Sequence, residues 1–217
     1  PELAMSVCRY GANPGELLGT VAPGTAVPLG PGISCIVESS GNWYTIFTHM
    51  FMHGGWLHII GNMWFLYIFG DNIEDSMGSV RFILFYLACG LASVAIQMIA
   101  SPSSPIPMVG ASGAISGVMG AYIMLYPKAP VHMLIFFGFF FTRIVIPAYL
   151  MLGYWFILQL FGGFFTLGSA TGGVAFWAHV GGFLAGVLFI RPFCDPHRVE
   201  ECRSKRGVLD RMIRRVK

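Results

Sequence analysis

Charged residues vanish from this chain in three long stretches. No Asp, Glu, Lys or Arg occurs from Ser39 to Gly70 (32 residues), from Phe82 to Pro127 (46 residues) or from Ile144 to Ile190 (47 residues). A helix that crosses a bilayer needs roughly 20 apolar residues. The first stretch therefore holds one span with its approach, and the other two hold two spans each. The pattern places span A at about 54–70, B at 82–100, C at 108–126, D at 144–165 and E at 174–190. The 19 residues of span B, as helix, measure about 28 Å, close to the roughly 30 Å hydrocarbon core.

The segments between spans read differently. Asp71, Glu74, Asp75 and Arg81 are expected to form a short charged connection between A and B. Pro102, Pro105 and Pro107 break any helix between B and C. Residues 129–142 are apolar but too short to span, which points to an interfacial segment. A Gly/Ser/Thr loop at 168–173 joins D to E. Residues 1–42 are punctuated by Gly and Pro and hold no long apolar run, so they read as an irregular loop segment rather than a signal peptide.

Composition sharpens this picture. Of 217 residues, 55% are apolar and 11% charged, whereas a soluble domain carries about 25% charged residues. A chain this apolar cannot keep a water-facing surface, so its core must lie in lipid. Nine of the thirteen basic residues fall between Arg191 and Lys217. Beside a membrane span such a tail is read as a topology signal, not as a nucleic-acid surface. The B–C and D–E connections hold no Lys or Arg, whereas A–B and C–D hold Arg81, Lys128 and Arg143. The positive side is cytoplasmic, so A, C and E run from outside to inside and the N-terminal segment lies outside. Cys8 and Cys35 precede span A; they pair if that side is oxidising and otherwise stand as free thiols. No cysteine spacing suggests a metal site.

Polar groups inside a bilayer are costly and hence functional candidates. Span A carries His58 and Asn62, four apart and so on one helix face. Span C opens with Gly110-Ala111-Ser112-Gly113, and span E carries His179. Given the common polarity of these spans, His58, Ser112 and His179 all fall near the outer end, within roughly 8 Å of one another in depth. A serine hydroxyl needs a base to become a nucleophile, and histidine has the basicity for that work. A tetrahedral oxyanion needs preorganised donors, and the Asn62 amide, a His58 ring N–H and the Ser112 backbone N–H can supply them. No carboxylate lies at this depth, so the arrangement is a Ser-His dyad. His49 and His53 are four apart, as metal ligands can be. The intervening Met50-Phe51-Met52 lacks the glutamate of the zinc-protease motif, and the sequence offers no third ligand. Ser116, Gly113, Gly117, Gly120, Gly182 and Gly186 read as packing positions for close helix contact. Trp43, Tyr44, Trp56 and Trp177 read as interfacial anchors.

At these residues the sequence resembles the rhomboid family of intramembrane proteases. The matching segments are Trp56-Leu57-His58-Ile59-Ile60-Gly61-Asn62, Gly70-Asp71-Asn72-Ile73-Glu74-Asp75, Gly110-Ala111-Ser112-Gly113 and Ala178-His179-Val180-Gly181-Gly182 with Gly186. The resemblance covers about residues 43–192. It divides the chain into an extracytoplasmic segment (1–42), a transmembrane protease core (43–192) and a basic cytoplasmic tail (193–217). It implies an all-α membrane bundle of six helices, of which five are visible here. The family core begins with a helix before the first loop, and this chain reads as starting in the loop after it. The resemblance implies Ser112 as nucleophile, His179 as general base, an oxyanion site from His58 and Asn62, His53 near the pocket, and no cofactor or metal. It implies transmembrane protein substrates, single-span and cut near the outer face of the cell (inner) membrane.

Two positions depart from the family pattern. Trp43-Tyr44 stands where some members carry Trp-Arg, and Ser116 stands where an aromatic residue often packs on the catalytic histidine. Support for His179 is therefore expected from Phe183 or Trp177. The rival reading is a catalytically silent relative that binds membrane clients in quality control. Such relatives usually lack the serine or the histidine, and both are present here. A channel or proton relay needs polar groups across the bilayer, whereas here they cluster at one depth.

Overall fold

The computed structural model describes residues 2–30, 32–39, 41–137, 140–167, 173–202 and 204. Two short helices, α1 (Glu2–Tyr10) and α2 (Pro14–Leu17), lead into a hairpin of β1 (Ala26–Gly30) and β2 (Ile33–Ile36). A one-turn helix α3 (Thr45–Thr48) runs into a 3-10 turn, His49–Phe51. The long helices follow: α4 (Trp56–Met77), α5 (Ser79–Ala100) and α6 (Ser112–Leu125). A second hairpin, β3 (Pro130–Phe137) with β4 (Phe140–Pro147), precedes α7 (Ala148–Thr166) and α8 (Phe176–Phe193). Among the described residues, α5, α7 and α8 are long and apolar enough to cross a bilayer, and α6 is apolar but has 14 residues. Helix α4 has 22 residues and carries Asp71, Glu74 and Asp75 toward its end. The long elements are those of an all-α membrane protein, with five helices where five spans are expected.

Several boundaries differ from the sequence reading, each for a local reason. The acidic residues expected to connect spans A and B lie inside α4, because charge ends a lipid-compatible run without ending a helix. The break is a single residue, Gly78, at φ +83°, a conformation that side chains resist. Residues 144–147, expected to open span D, are strand instead. Ile144, Val145 and Ile146 are β-branched, and Pro147 drives the residue before it to extended geometry, so the helix starts after the proline. Span C starts as helix only at Ser112: Met108 bridges Ala12 in antiparallel fashion and Gly110 sits at φ +132°. Residues 1–42 hold two helices and a hairpin rather than irregular loop. The loop at 168–172, residue 203 and the tail at 205–217 lie outside the described residues.

Helix α6 is the centre of the bundle. Every residue from Gly113 to Tyr122 is buried. The contact with α8 is backbone against backbone. A Cβ added at Gly182 or Gly186 would overlap the carbonyl oxygen of Gly113 or Gly117, and one at Gly120 would overlap that of Phe183. On its α5 side, a Cβ at Gly113 or Gly117 would overlap Ser93 or Cys89. Below this glycine stripe, Phe69, Phe85, Met119, Tyr122, Leu152 and Ile190 fill the interior.

The N-terminal unit braces the connection that leads into α6. Asn13 caps α2 by accepting from the Glu16 N–H (3.1 Å) and donates from Nδ2 to the Pro105 carbonyl (2.7 Å). The Gly15 N–H donates to Ser104 (2.8 Å), and the Thr20 hydroxyl to Pro102 (2.6 Å). Cys8 and Cys35, left open by the sequence, are joined in a disulfide that ties α1 to β2. Tyr44, expected as an anchor, donates its hydroxyl to the Arg9 carbonyl (2.9 Å). The His49 carbonyl accepts the Gly110 N–H (2.9 Å), which fixes the last residues before Ser112.

Two predictions follow from this packing. Gly186→Ala should force α8 away from α6 and lower the thermal unfolding midpoint in detergent, on the scale of about 1–3 kcal/mol for overpacking. Gly153→Ala, where a Cβ meets nothing within 4 Å, should leave the midpoint in place. The second concerns His49, which is 1% exposed and whose ring nitrogens find no partner among the described residues. Burial pushes its pKa from 6.5 down to about 4. Between those values the unfolded chain binds a proton that the folded chain does not, so stability should be full above about pH 6.5 and fall as pH drops toward 4. The loss reaches at most about 3 kcal/mol. Denaturant titrations across that range should show the slope, and His49→Leu should make it shallower.

Candidate active site

Three helix N-termini converge at one end of the bundle. Ser112 is the first residue of α6, His58 the third of α4 and His179 the fourth of α8. The Ser112 Oγ lies 2.8 Å from the His179 Nε2. The glycine contact between α6 and α8 produces this pairing, since Gly113 and Gly182 meet within one turn of Ser112 and His179. A cavity of about 530 Å³ opens over the pair, with Ser112, His179, His58 and Asn62 in its wall. Its apolar lining includes Leu57, Phe65, Met108, Ile115, Met119 and Trp155.

His58 lies against Gly110, so closely that a Cβ there would come 2.8 Å from its Nε2 and 3.4 Å from the Ser112 Oγ. Gly110 thus serves two needs, the positive φ and the room for this ring. The His58 Nδ1 accepts from the Gly54 N–H (3.3 Å). A neutral imidazole with Nδ1 as acceptor carries its proton on Nε2, so the nitrogen that faces Gly110 is a donor. Asn62 lies one turn further along α4, 7% exposed, and its Nδ2 is buried with no partner among the described residues. An unpaired buried donor in a cavity wall is costly unless a ligand oxygen takes it up. The His53 ring packs edge-on against His58 at 5.2 Å between centroids. Burial and His58 hold the His53 imidazole below its ordinary value. Among the described residues, no three His, Cys, Asp or Glu side chains gather as a metal site would require.

The surroundings of His179 differ from expectation. Ser116 turns its hydroxyl to the Ser112 carbonyl (2.6 Å), the usual habit of a helical serine. Trp177 packs into α7 instead, donating from Nε1 to the Gly163 carbonyl (3.2 Å), and Phe183 stacks on Phe156 (4.6 Å). Besides Ser112, the described groups against the His179 ring come from α7. The Trp155 ring lies 5.8 Å away at 35°, and the Gln159 Oε1 lies 2.8 Å from Nδ1. Sequence reasoning missed both. The available signal was Gln159 itself, an amide in the middle of an otherwise apolar span. Gln97 on α5 likewise receives the Ala178 N–H (3.1 Å), which ties the start of α8 to α5.

The family model for the rhomboid domain matches residues 40–196. The chain is 34% identical over 83 residues to "Rhomboid-like protein 11, chloroplastic" of Arabidopsis thaliana, covering 38% of this chain and 29% of that protein. It is 29% identical over 148 residues to "Rhomboid protease GluP" of Bacillus subtilis, covering 68% of this chain and 25% of that one. It is 28% identical over 152 residues to "Rhomboid protease GlpG" of Haemophilus influenzae, covering 70% of each. The first two matches thus span under a third of the length of those relatives. With the family model matching residues 40–196, most of the chain, and the motif segments on α4, α6 and α8, this chain belongs to the rhomboid family of multi-pass membrane proteins.

Proposed function

We propose that this chain is an intramembrane serine endopeptidase that cuts single-span membrane proteins with a Ser112–His179 dyad. The observation that carries the reading is the 2.8 Å contact between the Ser112 Oγ and the His179 Nε2 at the base of a cavity. In this scheme His179 takes the hydroxyl proton as Oγ bonds to the scissile carbonyl carbon. The oxyanion that forms is held by the His58 Nε2–H, the Asn62 Nδ2–H and the Ser112 backbone N–H. Breaking the C–N bond releases the amine, which takes the proton from His179 and leaves an acyl-Ser112. A water then gives a proton to His179 as it attacks the acyl carbon, and collapse of that second intermediate frees the acid and restores both residues.

The cavity fixes what a substrate must present. A carbonyl inside a helix is enclosed by its own hydrogen bonds, so the cut segment must be extended, as small or helix-breaking residues near a membrane face allow. The basic residues on the A–B and C–D sides support a cavity on the extracytoplasmic face of the cell (inner) membrane, with the C-terminal tail in the cytoplasm. The Cys8–Cys35 disulfide, on the same side as the connection to α6, supports an oxidising exterior. The division into 1–42, 43–192 and 193–217 accompanies this topology.

The test is cleavage of a model single-span substrate by the reconstituted protein. Ser112→Ala and His179→Ala should each abolish cleavage with the unfolding midpoint unchanged. Persistent cleavage by folded Ser112→Ala would overturn the assignment. Asn62→Ala, which removes one oxyanion donor, should lower kcat on the order of 10- to 1000-fold with a smaller effect on KM.

A further inference from the structure

A Ser-His pair works only if the imidazole presents a bare nitrogen to the serine. A neutral ring has one N–H and one acceptor nitrogen. For the His179 Nε2 to accept from Ser112, the proton must sit on Nδ1, and whatever faces Nδ1 must be an acceptor. Among the described residues, the carboxylate that does this in a Ser-His-Asp triad has no counterpart at Nδ1. The group in that place is Gln159, whose Oε1 lies 2.8 Å from Nδ1. A side-chain amide offers an acceptor at one end and a donor at the other, so its orientation decides which His179 tautomer it favours. The Gln159 Nε2 end faces the Trp155 carbonyl one turn back (3.4 Å), and a carbonyl only accepts. That contact turns the oxygen toward His179.

Resting on the Ser112–His179 reading, we propose that Gln159 is a positioning residue for the base, holding His179 in the Nδ1–H tautomer with Nε2 open to Ser112. Gln159 is 8% exposed, and at this depth a neutral amide avoids the cost of burying a carboxylate. It supplies orientation and tautomer without a charge, and Trp155 on the same helix face supplies the ring contact. Both supports of the base thus belong to α7, while nucleophile and base belong to α6 and α8.

Two readouts test the proposal. In detergent micelles, the ¹⁵N shifts of the His179 ring should report a protonated Nδ1 and a bare Nε2. In Gln159→Met, which matches the length of the side chain without its amide, that signature should give way to a mixture with the Nε2–H form. The kcat should fall on the order of 10- to 100-fold, the scale known for outer partners of metal-bound imidazoles, with KM and the unfolding midpoint unchanged. Gln159→Glu, which keeps an acceptor oxygen, should retain more activity than Gln159→Met. An unmutated protein with Nε2 protonated would overturn the proposal. So would a Gln159→Met protein with unchanged kcat and tautomer, or equal loss in the Met and Glu variants. The tautomer readout needs no substrate, so it stands apart from the cleavage test of Ser112→Ala and His179→Ala.

Discussion

A side chain at Gly182 or Gly186 would collide with the backbone of Gly113 or Gly117, so α6 and α8 touch without side chains between them. The rest of the site depends on that contact. In lipid no hydrophobic force draws apolar helices together, and close packing of small residues takes its place. With the backbones in contact, the first residue of α6 and the fourth of α8 come within one hydrogen bond. A wider crossing would leave Ser112 to bond its own helix and the His179 Nε2 without its serine partner. Packing and chemistry are thus one requirement at these positions, which is why the glycines lie beside the polar residues.

The second constraint concerns how α6 begins. With 14 residues it is about 21 Å long, against about 33 Å for α5. A non-helical connection must therefore reach into the bundle, and its backbone groups need partners there. Residues 12–20 supply several of them, pairing with Met108, Ser104, Pro105 and Pro102, and His49 supplies one for Gly110. The N-terminal unit is thus part of the framework of the site. Gly110, with positive φ and His58 against its Cα, marks where this braced connection becomes helix.

What the sequence made legible follows from which signals are local. Charge-free stretches marked five long segments, and the polar residues within them marked His58, Asn62, Ser112 and His179. The glycines of spans C and E marked the close contact. Hydropathy does not distinguish an apolar strand from an apolar helix, so residues 144–147 read as the opening of span D although they are strand and α7 starts at Ala148. Nor does it mark helix ends, so α4 runs past the acidic residues to Gly78. The partner of His179 was missed for another reason. Support was sought along α6 and α8, where the motifs are, whereas Gln159 and Trp155 come from α7 and meet the ring only in three dimensions. The Cys8–Cys35 pairing likewise depends on how α1 folds back on the hairpin, which spacing does not encode.

The central claim is that the contact of α6 with α8 makes Ser112 an activated nucleophile. Its most direct test is the rate and site of labelling by a fluorophosphonate in detergent, with the adduct mapped by peptide mass spectrometry. The account predicts one adduct, on Ser112, forming at a rate that collapses in folded His179→Ala. An adduct on another residue, or an undiminished rate at Ser112 without His179, would contradict it.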